Sequence, residues 1–170
     1  MIRFTCRRVA LPHTKQAMKR RRLIVVDIEN VVEGAVVTEG LAQWARNIIE
    51  TAVSIADDEQ VVVAMSHVGL LNTSAAWPTA RLRVRSGQDG ADRELLQVLQ
   101  TERIAERFDE VVLVSGDGIF TDVVSRLGGQ GVRVTAVAWK HCMSARLRLA
   151  ASATVLLDDG LRKLVHLEVA

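Results

Sequence analysis

Only two cysteines occur among the 170 residues, Cys6 and Cys142, and they lie far apart in the chain. They provide neither a disulfide framework nor a metal-ligand spacing, and the sequence offers no Cys/His cluster suited to a structural zinc. Cysteine used this sparingly favours a reducing compartment, so the cytoplasm is the expected location. No apolar run reaches the roughly 18 residues needed to cross a bilayer, and the N-terminus lacks the uninterrupted apolar core of a secretory signal. A soluble chain without a membrane partner is expected. Low-complexity linkers and internal repeats are also missing, which excludes a string of modules.

Acids are missing from one stretch. Residues 1–22 hold eight basic residues (Arg3, Arg7, Arg8, Lys15, Lys19, Arg20, Arg21 and Arg22) and no Asp or Glu. That leaves 14 of the 22 basic residues against all 20 acids in residues 23–170, a net charge of −6. The formal total of +2 therefore belongs to the leader and says nothing about the body. A flexible basic arm contacting phosphates is one reading of residues 1–22. A solubilising end, a start at Met18 and an Arg-rich transit peptide are others. Residues 23–170 are expected to form a single domain, since 49% hydrophobic and 25% charged residues suit one full core.

What the body does contain is an alternation of strand and helix signals. Apolar runs rich in Val, Ile and Leu predict strands near 23–27, 60–65, 80–85, 110–115, 132–138 and 154–157. Helical patterns occupy 39–55, 92–107, 120–127 and 144–151, with Gly128, Gly129 and Gly131 closing the third. Strands with no polar alternation suit a parallel sheet covered on both faces. The expected fold is α/β: a doubly wound, mainly parallel sheet with helices on both faces.

Two of these strands end on carboxylates. Leu23, Ile24, Val25 and Val26 run into Asp27, with Glu29 and Asn30 beyond, and Val111 to Val114 run into Ser115-Gly116-Asp117-Gly118. In a doubly wound sheet both ends fall on one rim, where such folds bind ligands. Acids gathered there repel each other unless a cation joins them. Asp92, after Gly90-Ala91, opens a helix, where a carboxylate is also favoured by the helix dipole alone. Asp122 sits in the first turn of the next helix. Carboxylates of this kind hold Mg²⁺ or Mn²⁺, which neutralises phosphate charge and makes water nucleophilic, the requirement of phosphodiester hydrolysis.

Four segments in order, Asp27-Ile28-Glu29-Asn30, Gly90-Ala91-Asp92, Ser115-Gly116-Asp117 with Phe120, and Ser144-Ala145-Arg146-Leu147, resemble the NYN branch of the PIN-like ribonucleases. The resemblance covers roughly residues 23–158. It implies a core strand order of 3-2-1-4-5, an acidic cluster holding Mg²⁺ or Mn²⁺, and RNA as the partner. Carried over residue by residue, it implies that Asp27, Asp92 and Asp117 are metal ligands and that Asn30 orients a ligand or water. Family members carry a further acid two residues after the Ser-Gly-Asp aspartate; here that position is Ile119, and Asp122 is the expected substitute in the catalytic and metal-binding set.

Arg81, Arg83 and Arg85 alternate with Leu82 and Val84, placing three guanidinium groups on one strand face. They form either an RNA-contacting track, which Ser115 would join, or a charged edge protected from aggregation. His67 lies on the acid rim, as a phosphate contact or a solvated loop residue. Trp77 in the connection 66–79 offers a base-stacking lid or a packing residue, while Trp44 and Trp139 read as core. Asp57, Asp58, Glu59, Asp158 and Asp159 read as solvated loop acids. The expected activity is metal-dependent RNA hydrolysis. The rivals are a catalytically degenerate RNA-binding or adaptor module of the same fold, and a different metal-dependent phosphatase or nucleotide hydrolase. The last is weakened because Asp27-Ile28-Glu29 is not the Asp-x-Asp of haloacid-dehalogenase-like phosphatases. A homodimer stays open.

Overall fold

The computed structural model describes residues 21–157. Six parallel strands form one sheet of order β3-β2-β1-β4-β5-β6. They are β1 (Arg22–Asp27), β2 (Gln60–Met65), β3 (Arg81–Val84), β4 (Glu110–Val114), β5 (Arg133–Trp139) and β6 (Ala153–Leu157). The helices are α1 (Ile28–Val32), α2 (Glu39–Val53), α3 (Leu70–Ala76), α4 (Gly90–Thr101), α5 (Ile104–Arg107), α6 (Thr121–Gly129) and α7 (Ala145–Ala150). The doubly wound expectation holds, and β6 extends the order 3-2-1-4-5 by one strand.

The uninterrupted apolar runs are explained by burial on both sheet faces. Leu23 and Val25 of β1, with Val111 and Leu113 of β4, pack with Leu95 of α4, Val124 of α6 and Leu147 of α7. The alternate residues Ile24, Val26, Val112 and Val114 pack with Ile48 and Ile49 of α2 and with Trp139. Each fully buried Val, Ile or Leu contributes on the order of 1.5–3 kcal/mol, so the central strands cannot slip by one residue without exchanging two cores.

One predicted helix and one connection differ in detail. The stretch 92–107 divides at Glu102 and Arg103, where Arg103 adopts a left-handed φ of 52°, and the connection 66–79 contains α3 preceded by a 3₁₀ turn at His67–Gly69. Arg21 and Arg22, counted with the leader, are anchored in the domain. Arg22 opens β1 opposite Glu110 and Arg21 bonds Asp109. The remaining leader, Cys6, Asp158 and Asp159 lie outside the described residues.

Candidate functional site

The strand order reverses between β1 and β4: the chain steps outward from β1 to β2 and β3, then crosses back to place β4 on β1's other side. Open α/β sheets form crevices at such a point, beyond the carboxyl ends of the strands. Val26 pairs with Val114, which sets Asp27 and Ser115 one step beyond, at the mouth of that crevice.

Asp27 shares the parity of Leu23 and Val25 and so faces the α4 side of the sheet. It is 5% exposed. One oxygen accepts hydrogen bonds from the backbone N–H groups of Glu29 (3.1 Å) and Asn30 (3.2 Å), capping α1. Asp92, in the first turn of α4, is 9% exposed, and its Oδ1 is buried with no hydrogen-bond donor. Burial, then the charge of Asp92, pushes the Asp27 carboxyl well above the usual range. Burial also raises Asp92, which lies within hydrogen-bonding reach of Asp27 and feels the charges of Asp117, Asp89 and Glu29. A pair of buried carboxyls with an orphaned oxygen must either hold a proton or meet a cation. The residues present therefore fit a divalent ion.

Asp117 is exposed. Its own turn holds it: Oδ1 accepts from the Ile119 N–H at 2.8 Å, and the Asp117 N–H donates to Ser115 Oγ at 3.2 Å. Ser115, expected among the RNA contacts, is completely buried. Its hydroxyl shapes this turn and presents nothing to a ligand. Asn30 uses its carbonyl to accept from the Gly116 N–H (3.2 Å), joining α1 to the β4 turn and leaving its amide hydrogens as the end available to a ligand. Gly116 is required because a Cβ there would stand 2.3 Å from the Cys142 carbonyl oxygen. Gly90 is required for the same reason, with the Arg85 carbonyl oxygen at 2.2 Å. The glycines beside the acids thus seat the loops against neighbouring backbone.

Glu29 accepts from the backbone N–H (3.1 Å) and hydroxyl (2.5 Å) of Ser66, bracing the end of β2. His67 is exposed, with its Nδ1 2.7 Å from Ser86 Oγ. Asp122 is an exposed residue in the first turn of α6. The arginine stripe faces α4. Arg81 meets Glu102 at 2.7 Å, Arg83 meets Glu94 at 2.7 Å, and Arg85 lies 3.7 Å from Glu94. Because β3 is the sheet edge, these pairs favour the protected-edge reading for Arg81 and Arg83. Trp77 is 2% exposed beneath the Arg46 guanidinium, a packing residue and not a lid. Trp139 is buried, as expected, and stacks on Trp44.

One grouping lies outside what the expected lack of a Cys/His cluster suited to a structural zinc addressed. Among the described residues, Glu33, His141 and Cys142 are the one set of three metal-ligating side chains whose donor atoms lie within 4.8 Å of one another. The three aspartates do not form such a set. No spacing within the sequence announces the Glu-His-Cys trio, since 108 positions separate Glu33 from His141. Its signal was topological: α1 and the turn after β5 emerge on the same rim, two strands apart.

A family model for the NYN domain matches residues 16–158. The chain belongs to the NYN domain family. Membership places it in a PIN-like nuclease class, as the four motif segments implied. A crystal structure of a protein of unknown function from Vibrio parahaemolyticus is similar at 21% identity, with a TM-score of 0.59 over 85% of this chain and 97% of that one. At that identity the likeness speaks for the fold alone. No curated protein matches. No helix among the described residues is long and apolar enough to cross a membrane.

Proposed function

We propose that this NYN domain is a divalent-metal-dependent ribonuclease that hydrolyses RNA phosphodiester bonds on the acid rim. The observation that carries the reading is the buried, donor-less Oδ1 of Asp92 beside buried Asp27 at the switch point of the sheet, with Asp117 on the same rim. Asp27, Asp92 and Asp117 would hold Mg²⁺ or Mn²⁺, which supplies charge neutralisation at the phosphate and an activated water. Asp27 is oriented by the two N–H groups of α1, so its position is fixed before substrate arrives. Asn30 would offer its amide hydrogens to a ligand, since its carbonyl accepts from the Gly116 N–H. Asp122 serves as an outer carboxylate, positioning water or metal. Arg85 is 50% exposed and held by one long contact to Glu94, which keeps it as a phosphate contact where Arg81 and Arg83 are engaged.

A second reading, a catalytically degenerate RNA-binding module, is favoured by one observation: Ile119, 39% exposed, stands where the family pattern has an acid. One experiment separates the two. Purified protein is incubated with single-stranded RNA, structured RNA, DNA and nucleoside triphosphates, each with Mg²⁺, Mn²⁺ or EDTA. Cleavage of RNA that EDTA abolishes is the expected result. Retained RNA binding without cleavage of any substrate would instead select the degenerate module.

A further inference from the structure

Glu33 and the pair His141-Cys142 come from opposite ends of the domain's sequence and meet beside the acid rim. Glu33 ends α1 at a left-handed φ of 56°, a conformation easier for the Gly34 that follows it. His141 and Cys142 form the turn after β5. Glu33 Oε1 bonds His141 Nε2 and lies 3.7 Å from Cys142 Sγ, and all three donor atoms fall within 4.8 Å of one another.

We propose that Glu33, His141 and Cys142 form a second metal site, for a borderline-soft divalent ion of the Zn²⁺ type, chemically separate from the oxygen-only rim. One oxygen, one imidazole nitrogen and one sulfur are the donors such an ion takes, whereas Mg²⁺ prefers oxygen throughout. Ligand bonds of about 2.0–2.3 Å in a tetrahedron place donors roughly 3.3–3.8 Å apart. The sulfur–oxygen separation already lies in that range, while the hydrogen-bonded Glu33 oxygen and His141 nitrogen would move apart to admit the ion. The site opens to water, since the side chains of His141 and Glu33 are 50% and 26% exposed. A water or a ligand atom can therefore complete the coordination. Entry of the ion breaks the Cys142 S–H bond, forms a metal–thiolate bond and releases the proton to solvent.

The consequence is mechanical. The Cys142 carbonyl packs against Gly116, Ser144 N–H donates to the Gly116 carbonyl at 2.8 Å, and Asn30 accepts from the Gly116 N–H. An ion joining α1 to the 141–142 turn clamps both segments that hold Gly116, and with it the turn carrying Asp117. The inference does not depend on RNA being the substrate.

Co²⁺ tests it as a spectroscopic stand-in for Zn²⁺. Titrated into the full-length, reduced protein, Co²⁺ should produce a sulfur-to-cobalt charge-transfer band saturating at one equivalent. Zn²⁺ should bleach that band and Mg²⁺ should not. Cys142→Ser should remove it, whereas Cys6→Ser and Asp117→Asn should retain it. Outer-shell partners of metal ligands are worth about 10–100-fold in affinity, so losing His141 itself, in His141→Ala, should weaken Co²⁺ by at least about 100-fold. His141 is exposed, so this variant keeps the test valid if Cys142→Ser fails to fold. Absence of the band from wild-type protein, or its survival at full strength in His141→Ala, overturns the site and reduces the trio to an ion pair beside a thiol.

Discussion

At the amino ends of the strands buried charge is matched; at the carboxyl ends the buried aspartates have no opposite charge beside them. Arg22 meets Glu59 at 2.6 Å, with side-chain exposures of 20% and 12%, and Glu59 also accepts from the Ala56 N–H. A cavity of about 450 Å³ opens beside this pair, but its lining charges are already engaged: Arg22 with Glu59, Arg21 with Asp109, Glu106 with Arg103 and Arg107 with Glu102. At the other end Asp27 and Asp92 are as deeply buried, yet each has acids as its charged neighbours. Natural domains accept such an uncompensated cluster where a ligand or ion completes it, and the stability lost there is what function requires. Polar residues in both regions look alike in sequence; the difference between them is the company the fold gives each one.

Removing a rim acid gives the largest expected effect. Asp117→Asn should lower metal-dependent RNA cleavage by about 100-fold or more, the scale of losing one preorganised electrostatic contact. Asp122→Asn should lower it only about 10-fold, as an outer residue acting through water. The comparison is initial cleavage rate at saturating RNA and Mn²⁺, with circular dichroism to establish that both variants fold. Equal rates for Asp117→Asn and wild type would remove the rim from the chemistry. A loss in Asp122→Asn as deep as in Asp117→Asn would promote Asp122 to a direct ligand in place of the acid missing at position 119.

The fold was legible because the central strands need no partner to announce themselves. Leu23 to Val26 and Val111 to Val114 are buried on both faces, and that is why they read as unbroken apolar runs. Carboxylates ending such runs were equally visible in the sequence, but not the caps that Asp27 and Asp117 provide to the turns that follow them. Glu59 was misread as solvated because its partner Arg22 lies 37 positions earlier, and ion pairing across strands leaves no periodic trace. Ser115 was misassigned because a serine next to a site aspartate looks like a contact until its burial is known. Glu33, His141 and Cys142 fell outside the reading of cysteine spacing altogether, since ligands from three-dimensional neighbours need no motif.

The two ends should respond to pH with opposite signs. Asp27 and Asp92 are raised in the folded state, chiefly by burial. The folded state therefore favours their protonated form, and stability present below the ordinary carboxylate range is lost as pH rises through the raised values. Asp92→Asn removes one of these charges and should stabilise the metal-free protein near neutral pH by roughly 0.5–2 kcal/mol, with no gain in acid. Burial would likewise raise Glu59, but hydrogen bonds from Arg22 and the Ala56 N–H outweigh it and hold Glu59 below its usual range. Its contribution is present above that range and disappears as pH falls through the depressed value. Glu59→Gln should then destabilise by about 1–2 kcal/mol near neutral pH, between exposed and buried pairs, and by nothing in acid. Thermal midpoints from acid to neutral pH in EDTA read both slopes. Parallel slopes for the two variants would erase the distinction between the ends.

The smallest effect is expected where charge is plentiful but already committed. Arg83 lies on edge strand β3 with its guanidinium 2.7 Å from Glu94, at side-chain exposures of 33% and 14%. Contacting a phosphate would require it to leave that carboxylate, exchanging one charge-assisted bond for another and exposing Glu94 to the same anion. Arg85 faces no such exchange, being 50% exposed and 3.7 Å from its acid. Arg83→Gln should therefore change RNA affinity by less than about twofold while lowering stability by up to about 1 kcal/mol, the upper range for a partly exposed pair. Arg85→Gln should weaken RNA binding and flatten its salt dependence by about one released counterion. Fluorescence anisotropy with single-stranded RNA across a salt series measures both. If Arg83→Gln lost as much affinity and salt slope as Arg85→Gln, the stripe would be an RNA track after all, and charge compensation would cease to distinguish the structural regions of this molecule from the functional ones.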